Sequence, residues 1–117
     1  MVKIKRIYDP PAPADGYRVL VDRLWPRGLG KDNAHVDEWM AGISPTRALR
    51  AWFAHDPEKW KDSRVRYRKE IEASENLEKL RDLAARAKNG TVTLLFATRD
   101  RERNNAVVLK EILEELS

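Results

Sequence analysis

Cysteine is absent from this 117-residue chain. Its absence excludes disulfides, thiolate catalysis and Cys-ligated zinc. Histidine is scarce: His35 and His55 are the only two, so few side chains have an ordinary pKa near neutrality. No apolar run approaches the roughly 18 residues of a membrane span. The opening MVKIKRIYDPP lacks the apolar stretch of a secretory signal, so the cytoplasm is the expected compartment. The Gly-rich loop of P-loop NTPases, the GxGxxG dinucleotide fingerprint and the Gly-x-Ser-x-Gly elbow are all missing. No serine sits in the setting of an activated nucleophile. Internal repeats and low-complexity segments are missing too.

What is there suits a folded domain. Hydrophobic residues make up 42% of the chain, and the length suits one core, so residues 1–117 read as a single domain. Charged residues reach 36%, above the usual quarter or so. The formal net charge is +4. That balance suits an anionic partner such as a phosphate, a nucleotide or nucleic acid, and it equally suits a basic surface with no specific partner.

Residues 2–8, VKIKRIY, alternate apolar and basic side chains, as a strand with one wetter face does. The proline-rich DPPAPADG at 9–16 is a loop. YRVLVDRL, 17–24, predicts a second strand, and WPRGLGKDNAH, 25–35, a loop. Residues 36–41 predict a short helix carrying Trp39. Ser44-Pro45 predicts a capped helix to about Phe53, and Asp56-Pro57 a longer one to about Ala73. A further helix covers 75–88, closed by a left-handed Gly90 after Asn89. TVTLLFATR, 91–99, is a continuous apolar run of the kind found in central parallel strands. A last helix spans about 103–116.

Helices between the second and third strands imply a parallel crossover. The expected fold class is therefore α/β: a short, largely parallel sheet of about three strands with helices packed on it. Ligands in such sheets bind outside the carboxyl ends of the strands. There, two strands end in charge, at Asp22-Arg23 and at Arg99-Asp100.

Arg23, Arg27 and Arg99 suit bidentate capture of a carboxylate or phosphate, beside the N–H groups opening the last helix. The competing reading pairs Arg23 and Arg99 with Asp22 and Asp100 in a structural network. If the site is catalytic, Asp22 or Asp100 is the base. Two carboxylates at neighbouring strand ends also begin a magnesium site, but the spacing carries no metal signature, so no metal is assigned and no cofactor is named. Trp25 stacks a flat ligand or lids the core. His55 walls the site or holds the turn between two helices. Of Asn104 and Asn105, one caps the last helix and the other, taken as Asn105, reaches a ligand. The basic residues of 57–73 are interrupted by acids, which suits a solvated helix better than a nucleic-acid face.

These segments carry a resemblance. RVLVDRLWPRGL (18–29), LRAWFAHDPEKW (49–60), RYRKE (66–70) and VTLLFATRDRERNNAVVLKEIL (92–113), nearly end to end and in order, resemble the YeaO-like proteins. These are small proteins grouped as domain of unknown function 488. The resemblance implies an α/β domain and no established activity. The matching motif positions include Asp22, Arg23, Trp25, Arg27, His55, Arg99, Asp100 and Asn105. Members often carry His where this chain has Asn104 or Asn105, which speaks against an acid–base role there.

Taken together, the expected function is an Arg/Asp-rich pocket that binds a small anionic, phosphate-bearing or nucleotide-like ligand and, if the protein is an enzyme, acts on it. The first alternative is a nucleic-acid-associated or regulatory module without catalysis. The second is a structural partner protein whose tryptophans form an interface.

Overall fold

Alternation along the first two strands decides which face of the sheet each side chain serves. In the computed structural model, which describes residues 1–116, β1 (Val2–Arg6), β2 (Tyr17–Leu20), β3 (Glu38–Trp39) and β4 (Val92–Phe96) form one sheet. Its order is β1-β4-β2-β3 and every pairing is parallel. β4 sits between β1 and β2, and all five of its residues are buried. That is why it reads as an unbroken apolar run rather than an alternating one. Five α-helices accompany the sheet: α1 (Lys31–Ala34), α2 (Arg47–Phe53), α3 (Trp60–Glu72), α4 (Asn76–Lys88) and α5 (Asn105–Leu116).

The main core joins Val19, Val21, Val92, Leu94 and Phe96 to the inner faces of α3, α4 and α5. On the opposite face a smaller cluster forms around Ile7, Leu20, Ala34 and Leu95, covered by Trp25, Leu29 and Val36. The loop after β2 therefore does the work of a helix on that side. That face also holds a buried ionic group: Arg18 donates to Asp15 at 2.5 Å, and Lys5 lies 3.1 Å from the same carboxylate. The Arg18 guanidinium also donates to the carbonyls of Ala34 and His35, so both charges are satisfied where water is excluded. Gly16, which opens β2, has φ +63°, and a Cβ there would stand 2.3 Å from the Thr91 carbonyl oxygen. Only glycine fits that approach.

Four local expectations are corrected. The sheet has a fourth strand, β3, in place of the predicted short helix at 36–41: Asp37 and Met40 donate their N–H groups to Arg18 and Leu20, pairing this segment with the edge of β2. Thr46, not Ser44, caps α2. Its hydroxyl accepts from Leu49 N–H at 3.2 Å, whereas the Ser44 hydroxyl donates to the Ala41 carbonyl. Asn89 follows α4 at φ −109°, and the left-handed glycines are Gly16 and Gly28, not Gly90. Finally, α5 begins at Asn105, after a looped 97–104. Among the described residues no helix is long and apolar enough to cross a membrane.

Candidate functional site

β2 and β4 are adjacent and parallel, so their carboxyl ends open on the same edge. Asp22 sits two residues past β2 and ties the two ends together. One of its carboxylate oxygens accepts the Ala97 N–H at 2.8 Å, just past β4. Asn105, the first residue of α5, donates its side-chain amide to the Val21 carbonyl at 2.8 Å. Trp39 donates its indole N–H to the Asp22 carbonyl at 2.8 Å. Burial pushes the Asp22 carboxyl above the ordinary aspartate range, and the hydrogen bonds from Ala97 and Asn105 only partly offset this. Neighbouring Asn104 is buried and accepts Val107 N–H at 3.1 Å, which makes it the cap of α5. The two asparagines thus divide the roles as the sequence suggested, except that Asn105 reaches a strand carbonyl.

Above this edge lies a cleft of about 450 Å³. Asp22, Arg23, Trp25, Arg27, His55 and Asn105 all line it. Arg99 and Asp100 do not. Asp100 turns away to Arg103, whose guanidinium donates to it at 2.9 Å, and it also accepts the N–H groups of Glu102 and Arg103. The Arg103 bond, foremost among these, holds Asp100 below the ordinary range. Neither of the proposed neighbour pairs forms: Asp22 has no arginine partner, and Arg23 and Arg99 make no ion pair among the described residues.

Two further arginines reach the cleft, Arg50 from α2 and Arg103. Neither was among the sequence candidates. Arg50 lies five residues before His55 in LRAWFAHDPEKW, a placement that only the packing of α2 over the sheet edge makes meaningful. Its guanidinium donates to the Pro45 carbonyl. Among the described residues only Arg103 of the four lining arginines has a carboxylate partner, and Asp22 is the one acid on the lining. Such an excess of fixed cations suits an anion.

The walls are apolar. Trp25 is half-buried, donates its indole N–H to the Leu29 carbonyl at 2.7 Å and stands edge-on to Trp39 with centroids 5.5 Å apart. Pro26 is buried beneath the turn, and Gly28 takes φ +74°. The Tyr8 hydroxyl donates to the Arg27 carbonyl at 2.8 Å, which pins that turn to the end of β1. Across from the turn, α2 ends at Phe53, whose ring lies 5.8 Å from Trp60 and 6.2 Å from His55. Ala54 and His55 both adopt left-handed backbone, at φ +46° and +57°. This is uncommon for residues other than glycine and asparagine, and here two occur in succession. The conformation turns the chain out of α2 and leaves His55 exposed on the cleft. Asp56 then caps the next turn by accepting Glu58 N–H, as its sequence position before Pro57 suggests.

Among the described residues no group of three or more His, Cys, Asp or Glu side chains is arranged to hold a metal ion. The basic residues of α3 are largely engaged within the molecule. Arg64 and Arg68 pair with Glu111 and Glu115 of α5 at 2.6 and 2.7 Å, and Arg66 stacks 4.0 Å from the centre of the Trp52 ring.

Comparison with known proteins places the whole chain. No solved structure matches it. An uncharacterized protein of Mycobacterium tuberculosis is 40% identical over 112 residues, covering 96% of this chain and 92% of its own, and a counterpart in Mycobacterium bovis matches equally. The uncharacterized protein YeaO of Escherichia coli is 39% identical over 115 residues, 98% of each chain. A family model described as the inactive DUF488-N3 subclade matches residues 1–117, and the chain belongs to that family.

Proposed function

We propose that the cleft at the carboxyl ends of β2 and β4 binds a small anionic ligand, phosphate-bearing or similar, and does not turn it over. One observation carries the reading: Arg23, Arg27 and Arg50 line one cleft with no carboxylate partner among the described residues. An unpaired guanidinium binds oxyanions by paired, charge-assisted hydrogen bonds. The position agrees with where open parallel sheets hold ligands. Binding without turnover fits the description of the family as inactive. On the lining the Ser44 hydroxyl is committed to a backbone carbonyl, so no serine there is free to act as a nucleophile.

The engagement of Arg64, Arg66 and Arg68 inside the molecule favours this reading over a nucleic-acid face on α3. The test is calorimetry and thermal shift with inorganic phosphate, sulfate and nucleoside monophosphates. A ligand at 100 times its dissociation constant adds about 2.7 kcal/mol of stability. The expected result is a saturable shift that is lost in Arg27→Ala, whose own melting temperature stays near that of the parent. No shift with any of these anions would refute the reading.

A further inference from the structure

The anion site contains an oddity. A cleft built only for a bare oxyanion gains nothing from a carboxylate on its lining, because like charges repel. Yet Asp22 lines it and pairs with none of the four arginines that share it. Its nearest hydrogen bonds are to an uncharged backbone N–H and the neighbouring Asn105 amide. A carboxylate left in this state has acceptor capacity to spare. The second oddity is the wall. Trp25, Pro26, Pro45 and Phe53 offer apolar surface, and Leu24 beside them is 64% exposed. None of that surface helps to hold phosphate. The volume, about 450 Å³, lies in the usual 300–1,000 Å³ or so of sites for whole organic molecules.

We infer that the ligand is an anion joined to a flat heterocycle whose edge presents N–H donors, with Asp22 accepting from that edge. The anionic group lies on Arg23 and Arg27, and the ring lies on the apolar walls formed by Trp25 and Phe53. Asp22 then supplies specificity. A ring that presents two neighbouring N–H donors, as guanine does, satisfies the carboxylate. One that presents a ring nitrogen acceptor, as adenine does, meets its lone pairs and is rejected. This inference rests on the anion-binding reading above and names the rest of the molecule that the anion belongs to.

The test uses the whole protein and calorimetry with four probes: ribose 5-phosphate, adenosine 5′-monophosphate, guanosine 5′-monophosphate and its N1-methyl derivative. Guanosine 5′-monophosphate is expected to bind at least about tenfold more tightly than ribose 5-phosphate or the N1-methyl derivative, a difference typical of one buried charge-assisted pair. Adenosine 5′-monophosphate is expected to bind no more tightly than the N1-methyl derivative, because its ring-nitrogen acceptor faces the carboxylate. In Asp22→Asn the preference for guanosine 5′-monophosphate over ribose 5-phosphate should shrink to a few-fold or less, with ribose 5-phosphate binding no more weakly than to the parent. The methylated probe makes the same test on the unaltered protein, so a poorly folded Asp22 variant cannot hide the answer. Equal binding of all four probes overturns the inference and leaves anion binding intact. Survival of the guanosine preference after N1 methylation overturns the role of Asp22. Failure of every probe overturns both readings.

Discussion

Ala54 is the place where a single atom group tests the backbone argument. It ends α2 at φ +46°, ψ +37°, its N–H bonded to the Arg50 carbonyl at 2.9 Å. Its methyl group is exposed, so removing it sacrifices little packing. The left-handed conformation costs an L-residue with a Cβ roughly 1–2 kcal/mol. Replacing Ala by Gly removes that cost but gives the unfolded chain more freedom, worth about 0.4–1 kcal/mol in the opposite sense. Ala54→Gly should therefore stabilise the protein by about 0.5–1 kcal/mol, in keeping with the preference for glycine at left-handed helix ends. Globular proteins unfold with an entropy near 2.1 cal/mol/K per residue, or about 0.25 kcal/mol/K for a chain of this length. The melting temperature should rise by about 2–4 °C in thermal unfolding followed by circular dichroism. Ala54→Val should lower it, since a β-branched side chain tolerates this conformation worse. An unchanged or lower melting temperature for Ala54→Gly would show that the left-handed turn carries no such cost, and the strain argument for the cleft wall would fall with it.

Other expectations follow from the same contacts. Thr46→Ala removes the α2 cap and its 2.6 Å bond to Glu70, and should cost about 1 kcal/mol in a urea titration, with Ser44→Ala costing less. Asp15→Ala strands the buried Arg18 guanidinium and should cost about 3–5 kcal/mol, enough to threaten folding in a domain with 5–15 kcal/mol or so in hand. For Asp15, burial raises the carboxyl but the hydrogen bonds from Ala12 N–H, Lys5 and Arg18 outweigh it and hold it below 3.8. Its stabilisation is therefore present above pH 3.8 and lost as pH falls through the folded value, which acid titration of the native signal would show. Asp22 has the opposite sign. Its folded value lies above 3.8, so the native state binds the extra proton and stability drains as pH rises through that value. Urea midpoints for Asp22→Asn against the parent should accordingly move in favour of the variant between pH 4 and pH 7, and a constant difference would contradict the burial of this carboxyl.

The legible parts of the fold are those whose signal is local or periodic. The unbroken apolar run of β4, the Lys3/Lys5 alternation of β1 and the Asp56-Pro57 cap each state their own conformation. β3 does not. Two residues, Glu38 and Trp39, have no periodicity to read, and they become a strand only because β2 leaves an edge whose backbone groups need partners. The Ser44-Pro45 signal failed for a similar reason. A hydroxyl two residues later, on Thr46, also finds Glu70 on α3, and that tertiary contact settles which of two good caps is used. Arg50 shows the limit for the site. Nothing within α2 marks it off from any other arginine on a helix, and only the docking of α2 above the strand ends brings it beside Arg23 and Arg27.

The charges at the strand ends illustrate why proximity in sequence is a poor guide to pairing. Asp22 and Arg23 are neighbours, but they sit in the bend that follows β2, where their side chains part. The carboxylate turns inward to Ala97 N–H, and the guanidinium is left facing solvent and the cleft. Asp100 sits in a loop that reverses direction, so it finds Arg103 three residues on rather than Arg99 beside it. A structural network would have paired each acid with its neighbour and neutralised the edge. The backbone geometry instead spends one acid on holding two strands together and the other on shaping the entry to α5. Among the described residues the arginines of the β2 loop and α2 remain without acids, on the same lining as a carboxylate that has no cationic partner, and this is the pairing of charges that the proposed ligand would have to satisfy.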